Sequence, residues 1–165
     1  MVKTALAIVL AAAVPAAAVT PIDAVEAGLA KLLGDNSSDV PAVAAGLKKG
    51  MSPAEARKVF PALPASVTGT KPYEPGTVPM KDPMLEALEL KFHQGKLNTV
   101  VLVFRRSVDR AAFKTASLKL IEAKWSIKAP AAERNEDLLT LMPGGNGVQR
   151  SFLVDHWEIE VELPS

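Results

Sequence analysis

Residues 85–104 constrain the fold more than any other stretch. Leu88, Leu90 and Phe92 alternate with Glu89, Lys91 and His93. That period of two puts apolar side chains on one face of a strand and polar ones on the other. Gln94-Gly95 then reads as a two-residue turn, with glycine supplying a positive φ, and residues 97–104 return as a second apolar strand. With that turn Phe92 faces Leu97 and Leu88 faces Val101, so Leu88, Leu90, Phe92, Leu97, Val101 and Val103 are expected on one face. A slip of one residue would mix them with charges, so the pattern predicts its own register. Val100, Leu102 and Phe104 then fall on the other face, which predicts a central strand at least partly covered on both sides.

Helices are expected before and after this hairpin. Asp23 caps a helix over residues 24–33 whose buried stripe is Val25, Leu29, Leu32 and Leu33, and Gly34 ends it. Residues 40–47 predict a short second helix with Pro41 in its first turn. Ser52, Pro53 and Glu55 carry the clearest local signal: an N-cap, a proline where no N–H is needed, and a glutamate at capping-box spacing. Pro61 and Pro64 stop that helix early. Ser107 opens a further helix with Phe113, Ala116, Leu120 and Ile121 on its buried side. At the C-terminus Trp157, Ile159, Val161 and Leu163 alternate with Glu158, Glu160 and Glu162; with Phe152 and Val154 they form either a hairpin turning near Asp155-His156, the favoured reading, or one long bent strand. The three glutamates are expected to face water or Lys91, Arg105 and Arg150. Segregated runs of helices and strands imply an α+β fold: an antiparallel β-sheet with helices packed on one face, in a single domain over residues 19–165.

The proline-rich segment at residues 69–83 reads differently. A short strand is expected at 65–68, followed by a long irregular loop. Loops of that length in small domains are often functional. Tyr73, Val78 and Met80 within it are the candidate partner-contact residues.

The N-terminus gives an address. Lys3 precedes an uncharged apolar run at residues 4–14 and the small residues Ala16, Ala17 and Ala18, the layout of a secretory signal peptide over residues 1–18. The run is too short to span a bilayer, which takes about 20 residues. A periplasmic or secreted protein with no transmembrane segment is expected. The chain has 0 cysteines, so it forms no disulfide, no thiolate zinc site and no cysteine-borne lipid anchor. Its formal charge is +1, and without Lys3 it is neutral. Such a balance gives no general attraction to nucleic acid or an anionic membrane.

The run Gly50-Met51-Ser52-Pro53-Ala54-Glu55-Ala56-Arg57-Lys58-Val59-Phe60, with Phe92-His93-Gln94-Gly95-Lys96-Leu97 further on, resembles two elements of small exported bacterial proteins. These include the outer-membrane assembly lipoprotein BamE and the β-lactamase inhibitory proteins. The resemblance covers residues 50–104. It implies a short helix packed on an antiparallel sheet and a habit of protein–protein contact, and it carries no site residue onto this chain. The lipid-bearing cysteine of BamE-like proteins has no counterpart, and the proline-rich insertion and the helix around Phe113 lie outside the shared unit.

Reactive groups are sparse. His93 sits beside a predicted turn. Asp155, His156 and Glu158 would suit acid–base or metal work only if a turn brought them together, since neighbouring strand residues point to opposite faces. Gly144-Gly145-Asn146-Gly147 lacks the lysine and hydroxyl residue of a phosphate loop, and no serine lies in a nucleophile elbow. No catalytic, cofactor-binding or metal-ligating residue is assigned. Three readings follow: an exported non-enzymatic protein acting through contact with another protein, an inhibitor or binder of a secreted hydrolase using the 70–80 loop, and a small periplasmic hydrolase with a site near His156.

Overall fold

The structure is a computed structural model that describes residues 22–35, 38–125, 139–141, 152–155 and 157–164. The predicted signal peptide, Arg150, His156 and the glycine-rich run at 144–147 lie outside the described residues. Among the described residues, six antiparallel strands form one sheet in the order β1-β2-β3-β6-β5-β4. They are β1 (Tyr73–Pro79), β2 (Leu85–His93), β3 (Lys96–Phe104), β4 (Leu139–Leu141), β5 (Phe152–Asp155) and β6 (Glu158–Glu162). The helices are α1 (Ile22–Leu33), α2 (Pro53–Val59) and α3 (Arg110–Trp125). The predicted second helix is a single 3-10 turn, Ala42–Ala44. The α+β class and the antiparallel sheet are as read from the sequence. So is the C-terminal hairpin, in which Asp155 pairs with Glu158.

The central hairpin departs from its expected register. His93 pairs with Lys96 and Phe92 with Leu97, but Lys91 then pairs with Thr99, leaving Asn98 as an extra residue on β3. A bulge of this kind reverses which residues face which side beyond it. Leu88 therefore faces Leu102, not Val101. Leu97, Val100, Leu102 and Phe104 join Leu88, Leu90 and Phe92 in the core, and Val101 and Val103 turn to the opposite face. The bulged register wins because it turns a leucine and a phenylalanine, in place of two valines, toward the helices, and burial stabilises in proportion to apolar area. It also aligns β3 with β6, whose Ile159 and Val161 pair with Leu102 and Val100 and are fully buried.

Helices α1 and α3 cover this apolar face. Val25, Leu29, Leu32 and Leu33 of α1 share one core cluster with Ala112, Phe113, Ala116 and Ile121 of α3 and with the inward residues of β2, β3 and β6. The rings of Phe104 and Phe113 stand 4.8 Å apart and tilted at 53°, a favourable aromatic arrangement. Trp157 Nε1 donates to the Val108 carbonyl at 2.9 Å, tying the start of β6 to the approach to α3.

Helix α2 has the predicted capping box. Ser52 Oγ accepts from the Glu55 N–H at 3.3 Å, and the Glu55 carboxylate accepts from the Ser52 N–H at 2.7 Å. The chain beyond it is not the strand expected at 65–68. Arg57 donates to the carbonyls of Leu63, Pro64 and Val67 at 3.2, 3.1 and 2.8 Å, which curls these residues around its guanidinium. Leu63 and Val67 then fold onto β1 at Gly76, where an added Cβ would stand 2.5 Å from Leu63 Cδ1.

Candidate functional site

The segment read as a proline-rich loop contains β1, an edge strand paired with β2 alone. Its prolines fit because of their register. Met80 N–H donates to Glu86 and Gln94 N–H to the Pro72 carbonyl, which marks the even-numbered residues as those bonded to β2. The odd-numbered residues Tyr73, Pro75, Thr77 and Pro79 turn their backbone groups out from the sheet edge. Pro75 and Pro79 therefore give up N–H groups that β2 does not use, and they also blunt the edge against unwanted strand pairing.

The same alternation sorts the three predicted contact residues. Tyr73 is 46% exposed and stands on the outer face. Val78 pairs with Leu88 and points into the core at 2% exposure, so it is not a contact residue. Met80 is half-buried, packed against the core. A loop would have left all three accessible, whereas a strand divides them between faces. Among the described residues Ile22 and Tyr73 are the large apolar side chains that stand out into solvent. The Tyr73 ring lies 5.2 Å from that of His93, tilted at 57°.

Tyr73 stands at the tip of the β2–β3 hairpin, where three segments meet. Gln94 and Gly95 form the turn with φ of 49° and 71°, the left-handed pair that a tight hairpin requires. Gly50 N–H donates to the Leu97 carbonyl, and Leu97 N–H donates to the Met51 carbonyl, both at 2.7 Å. Residues 69–72 press on the turn from the other side: an added Cβ on Gly95 would lie 2.7 Å from the Gly69 carbonyl oxygen. Glu74 anchors this crossing. Its buried carboxylate accepts from the N–H groups of Thr68 and Gly69 at 3.3 and 2.5 Å. Lys96 thereby stands in one cross-strand row with His93 and Tyr73, and Lys71 lies just before Tyr73 in the chain; both are exposed.

The sheet face opposite the helices is charged. Lys91 Nζ meets Glu160 at 2.7 Å and Lys49 Nζ meets Glu162 at 2.9 Å. Burial pushes the Lys91 pKa down, but the hydrogen bond and charge of Glu160, helped by Tyr73 and Glu89, carry it above the ordinary lysine value. Lys91 is thus the predicted partner of the C-terminal glutamates. Arg105 is not; it donates to the Asp82 carbonyl. Lys49 was not foreseen, because only the backbone contact between Gly50 and Leu97 brings it within reach.

A second feature lies at the other side of the helical layer. Leu33, Gly34, Asp35, Ser38, Val40, Ala42, Ala45 and Lys124 line a hollow of about 340 Å³. Lys124 is 8% exposed, and its ammonium donates to the Asp35 carbonyl just past the end of α1. Burial lowers its pKa, partly opposed by the charges of Asp35 and Asp39. Cations are favoured at helix C-termini, so this lysine serves to fasten α3 to α1. Among the described residues no three His, Asp or Glu side chains are grouped as a metal site would need, and no helix is long and apolar enough to cross a membrane.

No family model, curated protein or solved structure matches this chain.

Proposed function

We propose that this is an exported, non-enzymatic protein that works by contact with another protein, with Tyr73 at the centre of the contact. The observation that carries the reading is the placement of Tyr73. An aromatic ring is held out on a sheet edge, tilted against His93, at a tip where backbone hydrogen bonds tie three segments together. Aromatic side chains lose little conformational freedom on binding and are enriched at interface centres. The likeness to BamE and the β-lactamase inhibitory proteins supports the same reading. Its two elements, the Gly50-Met51-Ser52 run and the turn before Leu97, are bonded to each other here. The order of Lys3, apolar run and small residues supports export, with cleavage after Ala18 and a periplasmic or secreted destination.

The test is photocrosslinking in the native envelope with a benzophenone side chain at position 73, against one at position 81. A defined protein adduct at 73, whose purified partner loses affinity for Tyr73→Ala, is expected. Equal labelling at both positions would refute a contact centred on Tyr73. If the adduct is a secreted hydrolase whose activity falls on binding, the protein is an inhibitor, and it acts through a strand rather than a loop.

A further inference from the structure

We propose that the tip of the β2–β3 hairpin binds an extended acidic segment of a partner protein, laid along the Tyr73 end of β1. The proposal rests on the contact reading above and supplies its chemistry. Lys71 and Lys96 flank Tyr73 and His93, Lys96 pairing directly with His93 in the hairpin. The carboxylates at this end are already engaged. Glu74 is buried on backbone N–H groups, Glu55 closes the α2 cap, Glu160 holds Lys91, and Glu162 holds Lys49. Lys71 and Lys96 thus present positive charge beside the exposed ring, with Glu55 a partial counterweight to Lys96.

The backbone adds the preference for an extended chain. Tyr73 and Thr77 direct both N–H and C=O out from the edge, whereas Pro75 and Pro79 offer only carbonyls. A short strand can be added over Tyr73, and the missing donors stop the pairing from spreading along the edge. A membrane surface fits less well. Glu89 and Glu158, on the same sheet face, would meet its anionic headgroups, while a peptide can place its charges to match.

The probe is a fluorescein-labelled peptide of alternating glutamate and valine, read by anisotropy against the whole protein. A lysine–valine peptide and phosphatidylglycerol-containing vesicles serve as comparisons. The glutamate peptide is expected to bind, with affinity that falls on adding salt. Lys71→Glu with Lys96→Glu should weaken it about tenfold, in line with two exposed charge pairs each reversed. Lys81→Glu, beyond the far end of β1, which itself is about 20 Å long, should leave it unchanged. Thermal unfolding of each variant confirms that it is folded. No binding, equal binding of the lysine peptide, preference for the vesicles, or loss with Lys81→Glu as great as with the tip pair overturns the proposal. A protein adduct at position 73 alongside a failed peptide experiment refutes the acidic chemistry and leaves the Tyr73 contact standing. Failure of both removes the two together.

Discussion

Lys91 on β2 and Glu160 on β6 form an ion pair at 2.7 Å that reaches diagonally over β3. Lys91 lies in the cross-strand row of Thr99 and Glu162, and Glu160 in the row of Glu89 and Val101. The pair therefore clamps three strands on the face that the helices do not cover. Both side chains keep some water contact, so a double-mutant cycle with Lys91→Met and Glu160→Gln should give a coupling of about 0.5–1 kcal/mol. The folded pKa of Lys91 lies above its unfolded value near 10.5. Its contribution is complete below that value and is lost as pH rises through the folded pKa. Urea unfolding from pH 9 to 12 should show this loss in the parent and not in Lys91→Met; parallel curves would reject the pair as a stabilising contact.

The Asn98 bulge makes its own prediction. Phe92 and Leu102 are both fully buried beneath the helices. Phe92→Ala should cost about 3–5 kcal/mol and Leu102→Ala about 2–5 kcal/mol, by lost burial and the cavities left behind. Deletion of Asn98 closes the bulge and keeps every pairing, because Leu97 then adjoins Thr99 and plain alternation leaves Val100, Leu102 and Phe104 on the core face. The variant should fold with the near-ultraviolet dichroism of the parent. A deletion variant that fails to fold would mean that Asn98 is not the residue left over between the paired Leu97 and Thr99.

These residues also show how far the sequence was legible. Period-two alternation in β2 and β6, the Ser52–Glu55 cap and the Gln94-Gly95 turn are local patterns, and each appears as read. The bulge was not legible, because β3 is apolar at every position from Val100 to Phe104 and either register looks acceptable until β6 and the helices choose a side. β1 was hidden by its prolines, whose tolerance depends on which N–H groups point away from β2. That choice is fixed by which residues of β2 they meet, Lys91 opposite Pro75 and Ala87 opposite Pro79. Tyr73 was named as a contact residue, but Lys96 beside it was not, since it comes near only through the pairing of β1 with β2 and of β2 with β3.

Gly76 marks the close approach of two layers. A Cβ there would stand 2.5 Å from Leu63 Cδ1 and 3.0 Å from Val67 Cγ2. Gly76→Ala should destabilise by about 1–3 kcal/mol through overpacking. The obstructing atom is the end of a flexible leucine. Gly76→Ala combined with Leu63→Ala should therefore cost less than the sum of the two single changes, because each relieves the defect of the other. Additive costs in chemical denaturation would show that the two residues do not meet.

Lys124 gives the pH response opposite to that of Lys91. Burial sets its folded pKa below the unfolded value of 10.5, with Asp35 and Asp39 offsetting part of the effect. The unfolded chain therefore holds this proton more tightly than the folded one, and stability rises with pH between the folded pKa and 10.5. Lys124→Met keeps the aliphatic stem but cannot donate to the Asp35 carbonyl or carry charge to the end of α1. It should be less stable than the parent at neutral pH if the link between α3 and α1 outweighs the cost of burying the charge. Whatever the size of that gap, it should shift in favour of the parent as pH climbs toward 10.5. Unfolding midpoints of the two proteins from pH 7 to 10.5 check both points. A gap independent of pH would mean that Lys124 titrates alike in the folded and unfolded chains, and so is not held in the hollow between α1 and α3.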